Sequence, residues 1–378
     1  MSSVSSLAHR PAATGAVSPE PASETAAGMA ALRAAFAPVP GYLNAATLGL
    51  PPRAVVDATR DAITEWQLGR ATAAGYDDAV QTARALYAGL VGAPLDWVAV
   101  GSQTSVFAGL VAAALPDDAE VVCVSGDFSS MVFPFLAHAD RGVRVRQVPL
   151  EDLAASVTPG TTLVAFSLAQ SACGSLVDAA DVAGAAREVG ALTFCDLTQA
   201  AGWLPVDATD YDLTVCSAYK WLCQPRGTAY LTVRPELVPT IRPIHAGWYA
   251  GEDVWASCYG PQMHLSADAG RFDVSPAWLS WVGAVPALQV MSMVPTGVIR
   301  DHDVALADGL RARLGLDPAG RPVVSLADPD GRIAARLGER GAVVASRAGR
   351  VRIAFHVWNG ADDVDLVADA LAGLPPQH

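Results

Sequence analysis

From about residue 97 the chain alternates short runs of β-branched and apolar residues with Ala-rich stretches. WVAVGS, EVVCVSG, VRVRQVPL, TTLVAFSLAQ, ALTFCDL, YDLTVCSA and TAYLTVRP read as strands, and TSVFAGLVAAAL and AADVAGAAREVG as helices between them. This alternation predicts right-handed βαβ units in a mainly parallel, mostly buried sheet, an α/β class. Upstream, TAAGMAALRAAFAP predicts a helix, and GYLNAATLGLPPRAVVDATRDAITEWQLGRAT a turn-rich segment followed by a longer amphipathic helix. Residues 240–285 are rich in Trp and Tyr and irregular, which predicts loops shaping a cleft or a subunit contact. A helix near GAVPALQVMSMV follows, and RPVVSL, AVVASRAGRVRIAFHVW and DDVDLVADALAGL then predict a smaller α+β lobe. The expected organisation is a disordered tail over 1–26, a large domain over 27–285 whose N-terminal segment adds to the small lobe, and a small domain over 286–378.

Composition narrows the partners. At 378 residues and 52% hydrophobic the chain can bury a large core, and its formal charge of −13 disfavours phosphate backbones and anionic lipid surfaces. Nucleic acid and membranes are therefore not expected partners. Cys123, Cys173, Cys195, Cys216, Cys223 and Cys258 lie mostly inside apolar runs without CxxC spacing, so they are read as reduced, buried, cytoplasmic thiols. The first residues lack the apolar core of a signal peptide, and no apolar run reaches the roughly 20 residues of a membrane span. His245, His264, His302 and His356 show no metal-ligand spacing and are expected to be ordinary.

The chemistry is expected at Asp196 and Lys220, each just past an apolar strand, where open α/β sheets bind ligands. A desolvated lysine stays neutral enough to attack a carbonyl, and a carboxylate facing it through a heteroaromatic ring keeps the ring nitrogen protonated. That is the division of labour in pyridoxal phosphate enzymes. Between a strand and a helix, GSQTS places Ser102, Gln103, Thr104 and Ser105 where a helix N-terminus suits a phosphate. Each feature also has a plain reading: a surface lysine, Asp196 or the GSQTS hydroxyls as helix caps, Phe128 as core, Arg352 as an edge-strand charge.

Together these motifs resemble the class V aminotransferase-like family of pyridoxal phosphate enzymes, from about YLNAAT to the C-terminus. The resemblance implies fold type I, with a mainly parallel seven-stranded sheet between helices. CDLTQ matches an Asp-x-x-Gln motif, which implies that Asp196 holds the pyridine nitrogen and Gln199 bonds near the ring oxygen. SAYKWLCQPRG matches the lysine segment, making Lys220 the Schiff-base lysine and Ser217 a phosphate ligand, with Tyr219 in place of the usual histidine. Phe128 of GDFSSMVFPF falls where an aromatic ring stacks on the cofactor. Either Gln170 or Ser171 stands at an asparagine position, and Arg352 of RVRIAFHVWNG would clamp the substrate carboxylate. Asn44 and Gln170 are likewise expected at the substrate, and Ser275 at a neighbouring subunit's phosphate, which implies a homodimer with shared active sites.

The implied substrate is a small amino acid. No cysteine follows Cys258, which disfavours a persulfide-forming desulfurase. β-Elimination from a cysteine-type substrate is favoured over transamination, epimerisation and kynureninase-type cleavage, because it needs only a base, an electron sink and a leaving group. Trp248, Tyr249, Trp255 and Trp278 hint at a bulky or apolar substrate pocket.

Overall fold

A computed structural model describes residues 22–37 and 39–373. The tail expected over 1–26 lies outside them, apart from residues 22–26, which open the first helix. Helices α1 (Ala22–Ala34), α2 (Arg53–Gln67) and α3 (Ala73–Leu90) precede the sheet. Next come β1 (Val98–Gly101), α4 (Thr104–Ala114), β2 (Glu120–Val124), α5 (Ser129–Leu136), β3 (Arg144–Val148) and β4 (Leu163–Ser167). After α6 (Ala179–Val189), strands β5 (Leu192–Asp196), β6 (Leu213–Ser217) and β7 (Ala229–Val233) complete it.

These seven strands form one sheet in the order β1-β7-β6-β5-β4-β2-β3, parallel except that β7 runs against both neighbours. Every residue of β4, β6 and β7 is buried, so the sequence there runs apolar without alternating, as expected of strands covered on both faces. Side-chain parity assigns the faces. Val98, Val122, Val164, Phe166 and Cys195 pack with Tyr87 of α3 and Val182 of α6. Their chain neighbours Ala99, Cys123, Leu163, Ala165 and Phe194 pack with Phe107 of α4 and Phe135 of α5. Asp196 and Ser217 follow Phe194 and Val215 by two residues, so both side chains fall on the α4/α5 face.

The smaller lobe begins after α7 (Trp278–Met291) with α8 (Thr296–Arg313). Strand β8 (Val323–Ala327), α9 (Arg332–Glu339), β9 (Ala345–Arg347), β10 (Arg350–Ala354) and α10 (Ala361–Leu371) follow. Its antiparallel sheet runs β8-β10-β9, so Arg352 lies on the central strand and is buried, not an edge-strand surface charge. Residues 42–44 extend this lobe: Tyr42 bridges Val343, Asn44 bridges Ala354, and the Tyr42 carbonyl accepts from Trp358 Nε1 and Asn359 Nδ2. A mainly parallel seven-stranded sheet flanked by helices, with a smaller α+β domain, is the fold-type I arrangement that the resemblance implies.

Three expectations change. Helix α7 starts at Trp278, inside the stretch expected to be irregular, and runs across the anticipated boundary at 285. Its sequence is apolar on every side, which hides the helical period, while Trp281, Ala284 and Leu288 form its buried face. Cys258 is exposed and Cys173 half-buried, so only four of the six thiols are core residues. Among the described residues no single helix is long and apolar enough to cross a membrane.

The open edge of β1 is closed by residues 273 and 274. Val100 N donates to Asp273 Oδ1 at 2.8 Å, and Val274 N donates back to the Val100 carbonyl at 3.0 Å. Asp273 also pairs with the buried Arg84 of α3, which donates to the Val98 carbonyl. Asp273→Ala strands that guanidinium in the core and should destabilise the protein by about 3–5 kcal/mol in urea denaturation; a loss below about 1 kcal/mol would contradict the role given to the pair.

Candidate active site

Strands β5 and β6 are parallel neighbours, with Asp196 in register with Val215, so their carboxyl ends open side by side. Asp196 ends β5 and is buried; its Oδ1 accepts from Thr198 N at 2.8 Å in a tight turn, with no helix following for it to cap. Lys220 lies three residues beyond β6, only 5% exposed. The turn that carries it is pressed against Gly49, whose N–H donates to the Tyr219 carbonyl at 3.0 Å. A Cβ at Gly49 would lie 2.0 Å from the Lys220 carbonyl, so no side chain fits there. The Lys220 Nζ stands 5.2 Å from the Phe128 ring centroid and 5.7 Å from that of Tyr219.

Burial shifts both charged groups toward neutrality. It lowers the Lys220 amine to about 8, with Asp196 opposing and the Arg352 charge adding to the shift. It raises the Asp196 carboxyl to about 6, against the turn hydrogen bond from Thr198 and the charge of Lys220. A lysine in this state is a competent nucleophile and base.

Ser102, Gln103, Thr104, Ser105, Ser217 and Tyr219 line the same cleft, with Phe128 on its wall. Thr104 opens α4; its N–H donates to Ser217 Oγ at 3.0 Å and the two hydroxyls are 2.9 Å apart. Thr198 joins them, accepting from Ser217 N at 2.9 Å. Phe128 is half-exposed, so it is not a core residue. Burial raises the Tyr219 phenol, against the lowering effect of Arg226.

Other predicted residues sit further out. Gln199 is buried with its amide committed to protein partners: Nε2 donates to the Ala46 carbonyl at 2.8 Å and to Ser171 Oγ at 3.2 Å, and Oε1 accepts from Trp221 Nε1 at 2.8 Å. The two candidates at the asparagine position divide. Gln170 Nε2 donates to the Ser167 carbonyl and Asp127, whereas Ser171 meets Arg352 and Gln199. Arg352 donates to the Ser171 carbonyl and, at 2.7 Å, to Thr47 Oγ1, but its buried Nε has no partner and no ion pair among the described residues uses it. Burial and the nearby Arg347 lower it to about 10. The buried Oδ1 of Asn44 is also unpartnered. Ser275 is exposed and outside the cleft lining.

One property of Lys220 and several further side chains at the site were not singled out from the sequence. Lys220 is the only lysine among the 378 residues, a count that alone marks it. Thr198 lies inside CDLTQ and Arg226 inside QPRG, both lining the cleft. Asp127 fixes the Phe128 turn, accepting from Phe128 N and Ser167 Oγ at 2.6 Å each and from Ser167 N at 2.8 Å. His356, expected to be ordinary, is fully buried: Nε2 donates to the Trp221 carbonyl at 3.0 Å and Nδ1 lies 3.3 Å from Asp303. Adjacency to motif residues signals Thr198, Arg226 and Asp127; only the fold reveals His356.

The aminotransferase class-V family matches residues 42–321, and the chain belongs to it. YcbU, an uncharacterised aminotransferase of Bacillus subtilis (strain 168), is 27% identical over 313 residues, covering 77% of this chain and 82% of that protein. Isopenicillin N epimerase of Streptomyces clavuligerus is 25% identical over 339 residues, covering 77% and 83%. The cystine C-S lyase C-DES, solved with its reaction product cysteine persulfide, superposes with a TM-score of 0.81 at 18% identity, covering 89% of this chain and 98% of that one, which shows a shared fold.

Because the folded state holds Asp196 at about 6 instead of 3.8, it keeps a proton that the unfolded chain has already released between those values. Stability from this group is therefore full below the lower value and falls as pH rises through the window. In ligand-free protein, Asp196→Asn should flatten the stability change across that window by up to about 3 kcal/mol; an unchanged slope would contradict the burial of this charge.

Proposed function

We propose that this class-V aminotransferase family member removes a β-substituent from a cysteine-type amino acid, with pyridoxal 5'-phosphate as cofactor and Lys220 as its attachment point and as the base at the α-carbon. The observation that carries the reading is the buried amine of Lys220, the chain's only lysine, 5.2 Å from the Phe128 ring centroid and under the opposed charges of Asp196 and Arg352. The chain is a pyridoxal phosphate-dependent enzyme acting on an amino-acid-like substrate.

The residues present fit the cofactor. Lys220 would meet the aldehyde, Asp196 the ring nitrogen and Phe128 the ring face, and the Thr104–Ser217 hydroxyl pair with the opening of α4 suits the phosphate. When bound, the cofactor supplies an electron-withdrawing ring that accepts the pair left by the departing α-proton. Asp196 would offer that ring nitrogen a negative charge already desolvated, and so preorganised.

Arg352, held by Ser171 and Thr47 and lacking a protein carboxylate, takes the substrate α-carboxylate. Lys220, its amine shifted by burial toward the neutral form, removes the α-proton. Phe128 covers the site and has no proton to relay. The β-substituent departs as a thiol, and water converts the remaining three-carbon unit to pyruvate and ammonia.

The proposed elimination uses no thiol of the chain. No cysteine follows Cys258, and burial pushes the thiol of Cys223, three residues past Lys220, well up. Transamination is the second reading, favoured by the name of the Bacillus relative and by the same single base. The exposure of Ser275 leaves it available to a neighbouring subunit and supports the shared-site homodimer as part of the proposal.

Incubation with a panel of amino acids and cysteine conjugates should yield, from the cysteine-type members, pyruvate, ammonia and thiol in equal amounts; a new amino acid formed from an added keto acid, without pyruvate, would replace elimination by transamination. Arg352→Lys should raise KM about tenfold or more while the cofactor absorbance is retained. An unchanged KM would remove Arg352 from the carboxylate site.

A further inference from the structure

Two cations line the cleft, Lys220 and Arg226, and among the described residues no carboxylate lines it. Given the proposed function, on which the role of Arg226 rests, the Lys220 amine is engaged with the aldehyde. The remaining polar lining is neutral hydroxyls and amides from Ser102 to Ser105, with Ser130, Thr198 and Ser217. A phosphate monoester carries close to two negative charges near neutral pH, and hydroxyls and N–H groups alone leave that charge uncompensated.

Arg226 is built to face this site. Its guanidinium carbon lies 5.0 Å from the Tyr219 ring centroid, the ring that also stands beside Lys220 Nζ. Its backbone is fixed: the Arg226 carbonyl accepts from Ser280 Oγ at 2.9 Å, and Gly227 follows at φ +103°, a conformation that favours glycine. Among the described residues no ion pair or side-chain hydrogen bond occupies the guanidinium. Tyr219 occupies the position where the resembling family carries a histidine, so the chain has lost one potential cation there and presents another stacked on the replacement.

We infer that Arg226 is a phosphate-binding residue of this site, its guanidinium held against Tyr219 to neutralise the cofactor's phosphate, and that it sets the preference for pyridoxal phosphate over unphosphorylated pyridoxal. Arg226 is exposed, so the interaction is partly screened and weakens with salt.

The test titrates the full chain, stripped of cofactor, with pyridoxal phosphate and separately with pyridoxal, reading the absorbance change. Arg226→Gln should weaken pyridoxal phosphate binding by about 10- to 100-fold and pyridoxal binding by less than about twofold. Arg226→Ala should behave alike, and added salt should narrow the gap between wild type and variant. Equal weakening for both compounds assigns Arg226 a merely structural role and overturns the inference, as does undiminished affinity for pyridoxal phosphate. Wild-type protein that takes up neither compound overturns the reading of Lys220 itself, and this inference with it.

Discussion

An ammonium and a carboxylate are held out of water at the ends of adjoining parallel strands, and much of the site is arranged around that burial. Desolvation moves Lys220 down and Asp196 up, while each partner's charge holds the other back from full neutrality. An isolated buried charge of either sign would be expensive, whereas the two together are tolerable and reactive. The fold supplies the placement: Asp196 ends β5, Lys220 lies three residues past β6, and the cleft that Lys220 lines is walled by Phe128 and by the opening of α4.

Holding a reactive lysine in place takes more than its own strand. The Tyr219 carbonyl accepts from Gly49, the Trp221 carbonyl from His356, and the Trp221 indole is anchored to Gln199. His356 lies four residues beyond Arg352, on the segment leaving β10, and its ring is packed between Trp221 and Trp358 with centroids at 5.2 and 4.5 Å. The small lobe thus touches the lysine turn directly through the same stretch of chain that presents the candidate carboxylate clamp. Asp127 performs the equivalent task on the other wall, tying the Phe128 turn to the end of β4.

Much of this was legible in the chain. Continuous apolar runs ending in CDLTQ and SAYK announce buried parallel strands with polar residues at their carboxyl ends, and that placement follows from period and burial alone. The start of α7 was not legible, since a run apolar on all sides carries no period. The partners of Gln199 were not legible either: an amide that satisfies Ala46, Ser171 and Trp221 depends on contacts 22 to 153 residues away in sequence. His356 and Asp303 belong to the same class, two buried polar side chains brought together from positions 53 residues apart. The two glycines at 49 and 227 act through close approach and a positive φ, properties of the backbone that composition does not encode.

The most direct measurement is borohydride reduction of the protein as isolated, followed by proteolysis and mass spectrometry. Lys220 is the chain's single lysine, so the result is unambiguous. The expected result is a yellow protein that bleaches on reduction, with a pyridoxyl adduct on the peptide spanning Lys220. A colourless protein that stays unlabelled at that peptide after incubation with pyridoxal phosphate, or an adduct at the N-terminal amine alone, would contradict the assignment of Lys220.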